Sequence, residues 1–294
     1  MLQAEPDGMQ VCEDGPEHPI WPDDGSLSAK NNEHIAAGLW AVDTINPNVW
    51  AGVRKYFDIT AADIVIAQEA RVRGEAIEQA EQSAKLSKWN CSLQACHVTE
   101  KEGESAGAAV CCRAHIGMTA GPADCSKVQA AHPGRVHVRK VGAVCKGGVH
   151  IISLYCYDKF PINGKTNLSL LHHVAAITRK LVGPWILAAD FNCTPALLEA
   201  TGFLKLAGGQ MHAPEAPTCN GKVYNFFVVS RSLSHAVLGV HTIGDALCSP
   251  HSPARLLLRA KPRSTSTSTE SPQKVRSAPS LRARSPTSRE RRRS

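Results

Sequence analysis

The chain alternates short, almost wholly apolar runs with segments whose apolar residues recur at helical spacing. GLWAVDTI (38–45), ADIVIAQE (62–69), SLQACHV (92–98), GAAVCCR (107–113), RVHVRKVGAV (135–144), GVHIISLYCY (148–157), WILAAD (185–190), KVYNFFVVS (222–230) and ARLLLRA (254–260) predict strands. Residues 48–60 predict a short helix with Val49, Val53, Tyr56 and Phe57 on one face, and residues 72–89 a polar helix. The clearest helix covers 167–182, where Leu170, Leu171, Val174, Ile177 and Leu181 fall three and four apart along one stripe. Strands and helices mixed in this way predict an α/β (α+β) sandwich in which helices cover the sheets.

The two ends break the pattern. Residues 1–33 hold one Lys against eight Asp and Glu and show no apolar period. Residues 259–294 hold eleven Lys and Arg against two Glu, among Ser, Thr and Pro. Neither composition buries enough apolar surface to fold, so both are expected to be disordered around a domain spanning 34–258. That domain has a net charge of +5, only mildly basic. The tail is a solvated polycation, suited to neutralising phosphates or to nuclear localisation. Phosphorylation at Ser271-Pro272 or Ser285-Pro286 would lower its charge.

The eleven cysteines are scattered through apolar runs without a Cys-x-x-Cys pair, which reads as small buried hydrophobes in a reducing compartment. Cys91, Cys96 and His97 lack a second Cys/His pair at finger spacing, so zinc is not expected. The first residues contain no apolar core of a signal peptide, and no run approaches the ~18 apolar residues of a membrane span. An intracellular protein, nuclear rather than cytoplasmic, is expected.

The candidate chemistry lies where apolar runs end in polar residues that burial does not explain. These are Asn46 and Asn48 after AVDTI, Glu69 after DIVIAQ, Tyr155 within IISLYCY, Asp190 and Asn192 after WILAA, and His251 before the last strand. Polar residues offered by several strand ends are how such scaffolds assemble a reaction site on one rim. The series Asn46-Pro-Asn48, Gln68-Glu69, Ser153-Leu-Tyr155, Asp190-Phe-Asn192, Tyr224-Asn225-Phe226-Phe227-Val-Val-Ser230 and Ser249-Pro250-His251-Ser-Pro253 resembles the endonuclease/exonuclease/phosphatase superfamily. Within it, the series is most similar to apurinic-endonuclease-like nucleases, including those of non-LTR retroelements. The resemblance covers about residues 36–258.

That resemblance implies a deoxyribonuclease-I-like four-layer sandwich, two packed mixed sheets flanked by helices, that cleaves phosphoesters with Mg²⁺ or Mn²⁺. It implies that Asp190 takes a proton from an attacking water and that Asn46 and Asn192 orient the nucleophile or phosphate. Tyr155 and His251 would contact phosphate oxygens, with Asn225 partnering His251. Glu69, with Asn48, would hold the metal, an anionic oxygen ligand of the kind Mg²⁺ accepts. Two positions depart from the family pattern: Pro250 and Asn225 stand where it has Asp. The first removes a possible metal carboxylate, and the second leaves His251 an amide that cannot stabilise an imidazolium.

Singly, each residue has a plainer reading. Glu69 could be an exposed strand-end carboxylate, Tyr155 a core residue and His251 a loop residue, and Asp190 with Asn192 could form an Asx-turn before a helix starting at Pro195. Together they predict a divalent-metal-dependent phosphodiester hydrolase, an endonuclease acting on DNA rather than RNA, of weakened activity, monomeric and off the membrane. The alternatives are a degenerate nucleic-acid-binding domain of retroelement origin and a phosphatase on a small or lipid phosphate. Asp43, Asp158 and Asp245 are the carboxylates that could stand in for the one lost at Pro250, Asp245 first among them.

Overall fold

A computed structural model describes residues 26–99, 102–122, 125–246 and 248–259. In chain order its elements are β1 (Ser26–Leu27), α1 (Glu33–Ala36), β2 (Leu39–Ile45), α2 (Trp50–Phe57), β3 (Ile64–Ala67), α3 (Glu75–Leu86), β4 (Trp89–Gln94) and β5 (His97–Val98). Then come β6 (Glu104–Ser105), β7 (Ala108–Arg113), β8 (Met118–Ala120), α4 (Cys125–Ala131), β9 (Val136–Val141), β10 (Val149–Tyr155), α5 (Lys165–Thr178) and β11 (Trp185–Asp190). The remainder are α6 (Pro195–Ala200), α7 (Phe203–Ala207), β12 (Gly209–His212), β13 (Asn225–Ser230), α8 (Arg231–Ser234), β14 (Val237–Ile243) and β15 (Ala254–Arg259).

One sheet runs β1-β14-β15-β2-β3-β7-β4, the other β12-β13-β11-β10-β9-β8, and β5 and β6 form a separate ribbon. Both large sheets are mixed, with β2 parallel to β3 and β10 parallel to β11. The two-residue period of a strand sorts the side chains into layers. From β11, Ile186 and Ala188 join a core shared with Val42, Ile64, Ile66 and Leu256 of the other sheet. Its alternate residues Trp185, Leu187 and Ala189 pack instead with Leu170, Leu171 and Val174 of α5. The first sheet's other face, through Val65 and Ala67, meets α2 and α3 at Val53, Tyr56, Phe57 and Ala84. The architecture is the expected four-layer sandwich, with two mixed sheets face to face and helices outside.

Several expectations shift by a few residues. Trp89 does not close the polar helix but opens β4, fully buried and stacked on Phe57 at 4.5 Å between ring centroids. SLQACHV divides into β4 and β5. Val49 does not join the buried face of α2; it is the exposed residue before the helix, in an extended conformation. Leu181 lies beyond the end of α5 and is only partly buried.

The fold also starts ahead of residue 34. Leu27 and Ala29 are buried, and β1 pairs with β14. Arg255 holds this segment, donating to the Asn31 carbonyl at 2.9 Å and the Ala29 carbonyl at 3.1 Å. Residues 1–25 and the basic tail from 260 lie outside the described residues. Cys91, Cys96, Cys111, Cys112, Cys156, Cys193, Cys219 and Cys248 are buried thiols without disulfide partners. Among the described residues no helix is long and apolar enough to cross a membrane.

Candidate active site

Because β2 and β3 are parallel, as are β10 and β11, their C-terminal ends reach a common rim within each sheet. β13 runs antiparallel to β11, so its first residue arrives at that same rim. In the second sheet the register aligns Tyr155 with Asp190 and Asp190 with Asn225, one row across three strands. All three continue the strand face that packs between the sheets, as does Asn46 one residue past β2. The rim is therefore the end of the inter-sheet core, where apolar side chains give way to polar ones.

A polar layer marks the change. Thr44 Oγ1 lies 3.3 Å from Gln68 Oε1 and Gln68 Nε2 lies 3.4 Å from Ser153 Oγ. Ser153 in turn donates to the Ala67 carbonyl at 2.9 Å, joining the sheets by hydrogen bonds beneath the site.

Above this layer, Asn46 joins the two acidic residues. Its Nδ2 donates to Glu69 Oε2 at 3.2 Å and to Asp190 Oδ2 at 2.8 Å, while its Oδ1 accepts the Asn48 N–H at 3.2 Å. That acceptor role fixes which way the amide faces. Glu69 and Asp190, 121 positions apart in the chain, therefore share one NH₂ group. Asp190 Oδ1 accepts the Asn192 N–H at 3.1 Å, and Asn192 Nδ2 donates to the Cys156 carbonyl at 2.9 Å. Burial pushes the Asp190 carboxyl above the ordinary range, against the opposing pull of His251 and of the donors on Asn46 and Asn192.

His251 faces Asp190, its Nδ1 3.8 Å from Oδ2. The same nitrogen lies 3.0 Å from Asn225 Oδ1, and Nε2 lies 3.7 Å from Cys219 Sγ. Asn225 Nδ2 is buried without a hydrogen-bond partner, an unmet donor beside the carboxylates. The Tyr155 hydroxyl bonds Glu69, and burial, followed by Glu69 and Asp190, raises its pKa, so it remains a protonated donor. Arg135 lies over the Tyr155 ring at 4.8 Å.

The backbone is unusual at this rim. Asn48, Glu69, Arg71 and Asn192 all adopt left-handed conformations, with φ of 63°, 52°, 49° and 51°. Such residues cost about 1–3 kcal/mol each and concentrate where function requires a fixed side-chain direction.

Asn46, Glu69, Tyr155, Asp190, Asn225 and His251 thus converge, and Asn192 supports Asp190. Asn48 sits at the same rim but turns its carboxamide to the Ser249 carbonyl, 3.3 Å away. Of the candidate substitute carboxylates, Asp43 and Asp245 are engaged elsewhere, whereas Asp158 acts on Tyr155. Asp43 lies on the opposite face of β2, where Arg255 Nε and Nη2 clamp it at 2.8 and 2.9 Å. Asp245 accepts from the Ala29 N–H and the Ser28 hydroxyl. Three contributors have no sequence signature: Cys219 on His251, Thr218, whose Oγ1 accepts the Tyr224 and Asn225 N–H groups, and Arg71, whose Nη2 donates to Glu69 Oε1 at 3.0 Å.

Among the described residues no three His, Cys, Asp or Glu side chains cluster as a metal cage. What the rim offers an ion is the Glu69 carboxylate, with the Asn48 carboxamide at the same rim, a sparse set of hard donors. This fits Mg²⁺ or Mn²⁺, since Mg²⁺ retains several waters and takes one or two carboxylates, and does not fit a soft ion.

No family model matches this chain, and no curated protein resembles it in sequence. Solved structures do resemble it in three dimensions. The AP endonuclease LMAP of Leishmania major is 12% identical with a TM-score of 0.55, over 80% of this chain and 93% of that one. The endonuclease domain of TRAS1, a telomere-specific non-LTR retrotransposon, is 14% identical with a TM-score of 0.53, over 76% and 100%. The 3′ phosphatase NExo of Neisseria, solved with a product DNA hairpin, is 16% identical with a TM-score of 0.52, over 75% and 99%. With two mixed sheets, four layers and a polar rim at the strand ends, the chain has the fold of the endonuclease/exonuclease/phosphatase proteins.

Proposed function

We propose that this protein hydrolyses phosphodiester bonds in nucleic acid, DNA in preference to RNA, as a divalent-metal-dependent endonuclease. The observation that carries the reading is the Asn46 amide bonded to one carboxylate from each sheet, with His251, Tyr155 and the unpartnered Asn225 Nδ2 around them. Donors gathered about a base are what in-line attack on a phosphate needs, because negative charge builds on the phosphoryl oxygens as the nucleophile arrives.

In this reading Asp190 takes the proton from the attacking water. Its raised pKa brings it closer to the working pH, where a general base is most effective. The Asn192 N–H holds one of its oxygens and Asn46 the other, which fixes the direction of proton transfer. Tyr155 O–H and Asn225 Nδ2 donate to phosphoryl oxygens, and His251, set by Asn225, contacts the phosphate from the opposite side. Mg²⁺ or Mn²⁺ held by Glu69, with Asn48 at the same rim, would neutralise charge developing on the phosphate and the leaving oxygen.

Supercoiled plasmid with Mg²⁺ tests this directly. Nicking by the wild-type chain, reduced about 10²-fold or more in Glu69→Ala and Asp190→Asn, is the expected result. Nicking untouched by either substitution would refute the site. NExo shows that this fold also carries a 3′ phosphatase, so release of phosphate from 3′-phosphorylated ends without nicking would redirect the reading to that activity.

A further inference from the structure

Arg71 places a resident cation on Glu69. Its Nη2 donates to Oε1 at 3.0 Å, and the other oxygen, Oε2, accepts from Asn46. A divalent ion at Glu69 therefore approaches a carboxylate already paired with a guanidinium, and the two cations repel each other. The guanidinium is itself incompletely satisfied, because its Nε is buried without an acceptor. Its backbone is anchored: the Arg71 N–H donates to the Ala106 carbonyl at 3.2 Å, and Gly107 packs so close that a Cβ there would stand 2.8 Å from Arg71 N. The side chain is not enclosed, being 35% exposed.

We propose that Arg71 is shared between Glu69 and the phosphoryl group of the substrate, so that divalent-ion binding at Glu69 depends on an anion in the site. This rests on the phosphodiester reading and adds the order of events to it. A phosphate offers the guanidinium a fork of two oxygens, matching Nε and one Nη, where Glu69 engages a single nitrogen. On taking that fork Arg71 gains an acceptor for its unmet Nε and withdraws its charge from Glu69, whose oxygen is then free for the ion. Without the anion, ion and guanidinium compete for one carboxylate and repel each other. The dependence is reciprocal, so the ion must tighten the anion by the factor by which the anion tightens the ion.

Mn²⁺ binding to the full chain, followed by electron paramagnetic resonance, tests this with no turnover required. The probe is a short DNA duplex with phosphorothioate linkages, which resist hydrolysis, and Mn²⁺ held by the duplex alone is subtracted. Mn²⁺ is expected to bind wild type roughly tenfold or more tightly with the duplex than without it. Arg71→Gln should bind Mn²⁺ about tenfold more tightly than wild type when no duplex is present, and show no duplex effect. Arg71→Lys, which keeps the charge, should retain part of the dependence. Equal Mn²⁺ affinity with and without bound duplex in the wild type, or an undiminished duplex effect in Arg71→Gln, overturns the sharing while plasmid nicking would still support the nuclease. A wild-type chain that neither binds duplex nor nicks plasmid overturns both.

Discussion

Asp190 is 1% exposed, yet it ends a strand whose preceding five residues are apolar and buried. Burying a carboxylate is costly, and here it is offset by two donors and by His251. Replacing it with Asn should therefore separate function from stability. Asp190→Asn relieves a buried charge but leaves one oxygen for two donors, so its urea midpoint should correspond to a stability within about 1 kcal/mol of wild type. Nicking should fall by roughly 10²–10⁴, because an amide cannot accept the water's proton. In the wild type the rate should drop as pH falls through the raised Asp190 pKa, giving an acid limb above the ordinary carboxylate range; a rate flat down to pH 4 would remove Asp190 as the base. This residue was legible in the sequence, since nothing in WILAA explains a carboxylate at its end. Arg71 and Cys219 were not: they reach the site from loops, where spacing carries no register.

At the level of elements, β2 places two polar residues on opposite sides of one sheet. Asn46 belongs to the inter-sheet rim, whereas Asp43, three positions earlier, lies on the helix-covered face, bonded to Arg255, Tyr56 and Thr60. Asp43 was a candidate substitute carboxylate, and the two-residue period of the strand rules it out. Its work is structural, because Arg255 also gathers the carbonyls of Ala29 and Asn31. Asp43→Ala would leave a guanidinium buried and uncompensated, at a cost of about 3–5 kcal/mol in chemical denaturation. The surviving folded fraction should retain its specific nicking rate, since the change is on the far face; a rate lost in proportion at Asn46 and Asp43 alike would contradict that division. Gly107, with φ of 90°, underlies the Arg71 turn, and Gly107→Ala should cost about 1–3 kcal/mol and displace that turn. Strands buried on both faces were legible because continuous apolar runs have few other uses. β14 was not, because Gly239 and His241 interrupt its apolar pattern and most of it is only half-buried. β1 was hidden for a different reason, its two residues being held by partners more than 200 positions away.

For the molecule as a whole, the buried histidines decide how the fold responds to acid. Burial lowers His34 and His132 to about 4 and His137 to about 3, with Arg255, His173 and Arg139 respectively adding to the effect. These three sit in separate places: His34 near Asp63, His132 between Tyr157 and Ser169, and His137 of β9 against Ser92 of β4 in the other sheet. In each case the unfolded chain binds a proton near pH 6.5 that the folded chain refuses until much lower pH. Their contribution is therefore complete above 6.5 and is lost as pH falls toward 4, at up to about 1.4 kcal/mol per pH unit for each histidine. Asp63 and Asp190 act in the opposite sense, because burial raises both and the folded state takes up their protons first. That offset acts at the lower end of the window, where carboxyls titrate, so the decline should be steepest between about pH 6.5 and 5. Urea unfolding at pH 7.5, 6.5, 5.5 and 5 measures the slope. His137→Gln, which keeps a polar group beside Ser92 but cannot titrate, should make it shallower, since one of the six histidines that burial lowers is removed. A midpoint that holds constant from pH 7.5 to 5 would mean that these imidazoles become charged within the fold, and that the core around Ser92 and Tyr157 is wetter than its packing indicates.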